Sequence, residues 1–280
     1  MRLVVHGGVG SAPSDPAARE AALDAAATGG TGTATPLDAV ERAVRRLEDD
    51  DRFNAGIGSA LQADGVARTD AGLATDDGRV GAACAMPGVA RAVSVARAVL
   101  EATPHVLVAG EGAVRLAEAV DVPTGVDLTT ERTRERYASA DPPADPVPLA
   151  WVRERFGGTD TVGAVASDGE RYAAATSTGG RWFALPGRVG DVPQSGAGFH
   201  CTPAGAASAT GDGEVIARFG LARRAVAGLE DGLPADRAAA RAVSRFEAAT
   251  DATAGVIVLG SDGAGSAHNG EAMVVATATQ

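Results

Sequence analysis

The sequence predicts an α+β protein, and three observations carry that prediction. Short apolar runs are joined by Asp-Gly turns, the pattern of neighbouring antiparallel strands. Helical periodicity arrives in blocks between those groups of strands. Regular β-α-β alternation is missing, which argues against a parallel sheet wound with a helix after every strand.

In order, residues 3–5 read as a short apolar strand that ends at the glycine turn HGGVG. Residues 16–28 and 36–49 read as helices, each with proline at its start. In the second, Leu37, Val40, Val44 and Leu47 form an apolar stripe, while Asp38, Glu41, Arg45 and Arg46 face outward. Strands joined by DG turns follow from FNAGIGSAL to GAACAM, then a helix at 90–102, the strand HVLVAG and the helix EGAVRLAEAV. Residues 122–160 are rich in proline and charge, contain one weak helical patch, and read as a long, partly mobile linker. Strands are expected at 161–167, 171–177, 196–201 and 206–210, helices at 213–229 and 234–249, and closing strands at 255–259 and 272–278. No repeat of solenoid length is present.

A chain of 280 residues with 45% hydrophobic content can bury a substantial core. No apolar run approaches the roughly 20 residues of a membrane span, and MRLVVHGG lacks a signal-peptide core, so a cytoplasmic location is expected. Two cysteines, Cys84 and Cys201, are too few for a disulfide framework and are expected to pack structurally. All 25 basic residues are arginine and the net charge is -11, which argues against a nucleic-acid partner. Acidic segments such as EDDD at 48–51 read as surface, reflecting either adaptation to high salt or a GC-rich genome.

The glycine-rich stretches do not encode nucleotide binding: GGVGSA and GAGFHC lack the third glycine, and a chain without lysine has no P-loop. No GxSxG elbow exists for His6, His105, His200 or His268 to serve, and His6 reads as a residue organising its glycine turn. Thr161, in GTDTVGAV, is more informative. A threonine hydroxyl is a weak nucleophile without a base, and a cut before Thr161 would supply one as the new α-amine. In LPGRVGD, Arg188 can grip a carboxylate in a bidentate manner and Asp191 can receive an ammonium, unless the two simply pair at the surface. SATGDGE at 208–214 can form an oxyanion hole or an ordinary helix cap, with Glu214 at the helix start.

The order DTVGAV, TSTGG, LPGRVGD, GAG, TGDGE, with VVHGG and FNAGIGSAL ahead of it, resembles the plant-type asparaginase and isoaspartyl peptidase family of N-terminal nucleophile hydrolases. The resemblance spans nearly the whole chain except the acidic linker. It implies a single-domain, four-layer αββα sandwich made as an inactive precursor that cuts itself between Asp160 and Thr161. Residues 1–160 and 161–280 would be its two subunits. It further implies that Thr161 attacks the side-chain amide of asparagine or the β-linked carbonyl of an isoaspartyl dipeptide. Thr178 would support it, and Thr210 and Gly211 would hold the oxyanion. The segments Arg188, Val189, Gly190, Asp191 and Thr210, Gly211, Asp212, Gly213 would bind the small-molecule substrate.

By the same resemblance Asn54 helps orient the precursor, and backbone carbonyls of Leu47, Glu48, Asp50, Phe53, Ala55 and Ile57 hold a structural sodium ion. No cofactor or catalytic metal is implied, and the cut units are expected to pair as a homodimer. Two departures stand out. Thr159 occupies a position where many relatives carry histidine, and Trp182 and Phe183 stand where polar residues are usual, either reshaping the leaving-group side of the pocket or packing at a surface or interface. Other readings are a glycosylasparaginase-like enzyme and an uncut, non-catalytic binding homologue.

Overall fold

A computed structural model describes residues 1–13, 15–143, 148–158 and 160–280. In chain order the first half holds β1 (Arg2–Gly10), α1 (Pro16–Thr31), α2 (Pro36–Glu48), β2 (Arg68–Thr75), β3 (Val80–Pro87), α3 (Ala92–Ala102), β4 (Leu107–Ala109), α4 (Gly110–Ala119), α5 (Glu131–Ser139) and α6 (Leu149–Arg155). The second half holds β5 (Val162–Ser167), β6 (Tyr172–Thr178), β7 (Phe199–Thr202), β8 (Gly205–Gly211), α7 (Gly213–Phe219), α8 (Leu221–Glu230), α9 (Ala235–Ala249), β9 (Ala254–Gly260), β10 (Gly263–His268) and β11 (Ala272–Thr279). The molecule is a mixed α/β single domain. No helix among the described residues is long and apolar enough to cross a membrane.

The strands form two sheets, ordered β11-β1-β5-β6-β2-β3-β4 and β10-β9-β8-β7. Side-chain alternation along each strand divides the apolar residues among three cores. Leu3, Val5, Val162, Ala164 and Ala175 pack with Leu23, Val40, Val44 and Val95 of α1, α2 and α3. From the opposite face, Val4, Val165 and Ala174 meet Phe199, Ala206, Ile257 and Leu259 of the second sheet. Ala207, Ala209, Val256 and Val258 then pack under α8 and α9. The period-2 alternation in β1, β5, β6 and β8 therefore gives each strand one helix-facing side and one side between the sheets.

Several expectations need correction. β1 does not stop at the glycine turn; it continues to Gly10 through a register shift between His6 and Val9, so His6 lies within the strand and is fully buried. The helix expected at 213–229 is broken into α7 and α8 at Gly220, whose left-handed φ of 71° ends the first helix. β10 escaped notice because its small residues, GAGSAH, carry too little apolar contrast. Glu48, expected at the surface, is fully buried.

The predicted linker is the largest difference. It carries α5, opened by a reciprocal capping box between Thr130 and Thr133, and α6. Its anchors are single aromatic residues: Tyr137 donates to the Ala63 carbonyl (2.9 Å), and the Trp151 ring meets Phe183 edge-on at 5.1 Å. Trp182 and Phe183 are buried with Ala60 and Leu61 as the receiving surface, so they pack within this chain. Residues 144–147 lie outside the described residues.

Candidate active site

Three threonines mark the polar end of the space between the sheets. Thr161 precedes β5, Thr178 ends β6 and Thr210 lies near the end of β8, and all three are at least 95% buried. Each belongs to the alternation that faces the other sheet, continuing Val165, Ala174 and Ala206 upward from the apolar floor.

The peptide joining Asp160 to Thr161 is held from several directions. Asn54 Nδ2 donates to the Asp160 carbonyl at 3.1 Å and to the Gly180 carbonyl at 2.6 Å. Thr178 Oγ1 donates to the same Asp160 carbonyl at 3.3 Å. Asn54 is itself fixed, because its Oδ1 accepts from Ala60 N and its carbonyl accepts from Gly179 N, both at 2.8 Å. Gly8, with φ of 106°, closes the back: a Cβ there would lie 2.9 Å from Asp160 Oδ1 and 3.4 Å from Thr161 N. Burial raises the Asp160 carboxyl above its ordinary range, an effect that Arg19, Arg132 and Arg136 oppose. Thr159, the neighbour that departs from the expected histidine, lies outside the described residues.

A charged cluster is built on Arg181, three residues after Thr178, and on the turn that carries Arg188 and Asp191. Arg188 does not pair with Asp191; its Nε donates to Glu214 Oε1 at 2.6 Å, while Arg181 bridges Glu214 Oε2 (2.9 Å) and Asp212 Oδ1 (2.8 Å). Arg188 Nη2 and Asp191 Oδ2 are buried without a hydrogen-bond partner among the described residues. One unengaged donor and one unengaged acceptor suit a zwitterionic head group, since isolated buried polar atoms are costly to leave unpaired. Asp191 is only 4% exposed, and burial lifts its carboxyl to about 6, with Arg188 pulling the other way. Gly190 is buried, the Val189 side chain is exposed, and Gly213 opens α7. The turn Thr210-Gly211-Asp212 is tied to β9 by Asp212 N donating to the Thr253 carbonyl at 2.8 Å.

The end of the linker covers this cluster. The Phe156 ring lies under both guanidinium groups, 4.3 Å from Arg181 and 5.7 Å from Arg188, and Gly157 exchanges two main-chain hydrogen bonds with Trp182 (3.2 and 2.9 Å). Arg181, Glu214, Phe156 and Gly8 were missed as site residues from sequence. Glu214 was readable only as a helix start, and nothing local links Phe156 to arginines more than twenty residues away.

The segment 47–58, which carries Asn54, curls back on itself. A Cβ at Gly56 would collide with the carbonyls of Glu48 and Ala90, and one at Gly58 with those of Asp51 and Phe53, so main-chain oxygens converge here. Some are engaged: Ile57 N donates to the Glu48 carbonyl (2.8 Å) and Phe53 N to that of Asp50 (3.2 Å). Carbonyl oxygens suit a hard cation better than a soft metal that prefers thiolate or imidazole. Both cysteines are free and buried, with the Cys84 thiol pushed up to about 12 by burial.

The whole of residues 1–280 matches the family model described as asparaginase. The plant-type L-asparaginase of Pyrobaculum calidifontis is 43% identical over 235 residues, covering 80% of this chain and 78% of the relative. That of Pyrococcus abyssi is 37% identical over 260 residues (87% and 84%), and the isoaspartyl peptidase/L-asparaginase of Bos taurus 38% over 232 residues (81% and 74%). Fold, buried hydroxyl site and kinship together define a hydrolase. The chain belongs to the asparaginase family.

Proposed function

We propose that the protein hydrolyses L-asparagine to L-aspartate and ammonia and cleaves β-aspartyl dipeptides, using Thr161 as nucleophile after cutting its own chain between Asp160 and Thr161. The observation that carries this reading is the pair of donors, Asn54 Nδ2 and Thr178 Oγ1, on the carbonyl of the peptide to be cut. Donors aimed at that oxygen stabilise the negative charge it acquires when Thr161 Oγ1 adds to the Asp160 carbonyl carbon. Collapse of the adduct breaks the C–N bond and leaves an ester on Thr161, which water hydrolyses. The products are the chains 1–160 and 161–280, the second beginning with a free amine.

That amine has an ordinary pKa of roughly 7.7–8.0 and serves as base for the same hydroxyl. Thr161 then attacks the substrate side-chain carbonyl, ammonia or an amino acid departs, and water releases aspartate from the acyl-enzyme. Arg188 and Asp191 take the α-carboxylate and α-ammonium, Thr210 and Gly211 the oxyanion, with Gly190, Asp212 and Gly213 shaping the pocket. The three apolar cores support the four-layer αββα arrangement of the N-terminal nucleophile fold. We also read the 47–58 carbonyl loop as a sodium site that stiffens the support of Asn54, and the cut protein as a homodimer.

The test is a denaturing gel followed by an ammonia assay. The purified protein is expected to resolve into two pieces and to release ammonia from asparagine, whereas Thr161→Ala stays whole and loses activity by at least about a thousandfold, the scale for removing a nucleophile. A wild type that remains uncut after prolonged incubation would overturn the reading.

A further inference from the structure

The space between the sheets holds one buried polar row that the proposed reaction does not use. In the seven-stranded sheet, His6 of β1 stands opposite Gly163 of β5, which stands opposite Thr176 of β6. Ser208 descends onto this row from the other sheet. Its Oγ lies 2.8 Å from His6 Nε2 and 3.5 Å from Thr176 Oγ1, and Thr176 Oγ1 donates to the Gly198 carbonyl at 3.0 Å. All four are fully buried. Gly163 makes the arrangement possible, because a Cβ there would collide with both Ser208 Oγ and His6 Nε2.

The position of the row matters. Thr161 and Thr178 lie two residues beyond Gly163 and Thr176, and Thr210 lies two residues beyond Ser208, each on the same strand face. Two residues of strand span about 6.6 Å. The row is thus the tier directly beneath the nucleophile, its supporting threonine and the oxyanion turn. The tier next below it is apolar, with Val4, Val165, Ala174 and Ile257, and these side chains can slide without losing a directional bond.

We propose that His6 is a positioning residue: through Ser208 it fixes the strand carrying Thr210 against the strand led by Thr161, and so sets the distance between nucleophile and oxyanion turn. The inference rests on the hydrolase reading above. Burial lowers the His6 pKa to about 3, so the ring is neutral at working pH; the Thr161 main chain opposes that shift, which places the ring against the first residue of the nucleophile strand. A neutral imidazole offers one donor and one acceptor, and Nε2 spends its share on Ser208 while Nδ1 has no hydrogen bond of full geometry among the described residues.

The experiment is a double-mutant cycle on fully cut protein, with kcat and KM for a β-aspartyl dipeptide normalised to the amount of free Thr161 amine. His6→Leu and Ser208→Ala are each expected to lower kcat about 10- to 100-fold with KM within about twofold, the scale for sub-ångström misplacement of reacting groups. The double variant should be no worse than the poorer single one, and His6→Gln, which keeps an amide able to donate or accept near the Nε2 position, should recover most of kcat with the acidic limb of the pH profile unmoved. Multiplicative losses, a KM that rises in step, or a shifted acidic limb in His6→Gln would overturn the proposal. If His6→Leu fails to fold, Ser208→Ala alone decides, and an unchanged kcat there sinks it. A wild type that neither cuts nor turns over defeats the hydrolase reading itself, whereas an active wild type with an indifferent Ser208→Ala defeats only this inference.

Discussion

Asp70 is a buried carboxyl beside the charged cluster, 2% exposed, with Oδ1 accepting from the Ala85 main-chain N–H at 2.7 Å. Desolvation raises its pKa to about 7; the Ala85 hydrogen bond and Arg188 act against that shift and Asp191 acts with it. A carboxyl raised on folding contributes stability that is complete below its unfolded pKa of about 3.9 and is lost as the pH climbs through about 7. Asp70→Asn keeps the acceptor and cannot ionise. Its Tm should therefore gain on the wild type between about pH 4 and 7 and hold a constant lead above, worth in total a few kcal/mol; thermal melts at a series of pH values check this, and parallel curves contradict it. Sequence brought five residues of the candidate site to the page, since Thr161, Asn54, Thr178, Arg188 and Asp191 stand in motifs of recognisable order. Asp70, His6 and Glu214 were not legible as site neighbours, because each owes its importance to a partner brought close only by the fold.

Elements whose signal is periodic were read well. α2 sits at Pro36–Glu48 with its stripe buried, and the paired strands β5 and β6 fall within a residue or two of expectation. The linker was misread for a physical reason: a short helix with a charged face and one large aromatic anchor has almost no hydrophobic periodicity. Its stability lies in the receiving surface, where Tyr137 and Trp151 meet Phe183 at ring separations of 6.4 and 5.1 Å. Phe183→Ala is expected to destabilise the protein by about 3–5 kcal/mol and to expose residues 131–158 to limited proteolysis while the rest resists. A digestion pattern unchanged from wild type would show that α5 and α6 are held by something else. α7 and α8 illustrate the opposite error, where continuous apolar spacing hid a break that Gly220 alone imposes.

At the scale of the whole molecule, the order of the large sheet has a consequence for how the protein comes apart. Read across β11-β1-β5-β6-β2-β3-β4, the strands come from after residue 160, before it, after it twice, and before it three times. The two segments are interlaced, so opening the bond before Thr161 frees neither of them and leaves the native particle its size. What changes is the order of the folding reaction. Each intact subunit refolds as one molecule in a unimolecular step; each opened one must find its partner segment again in an added bimolecular step, so its Tm should rise more steeply with protein concentration than that of Thr161→Ala. Melts across a hundredfold range of concentration test this. Under the proposed self-cutting, such a sheet would act as a ratchet: the opened form would persist because it stays folded, and once unfolded its return would depend on dilution.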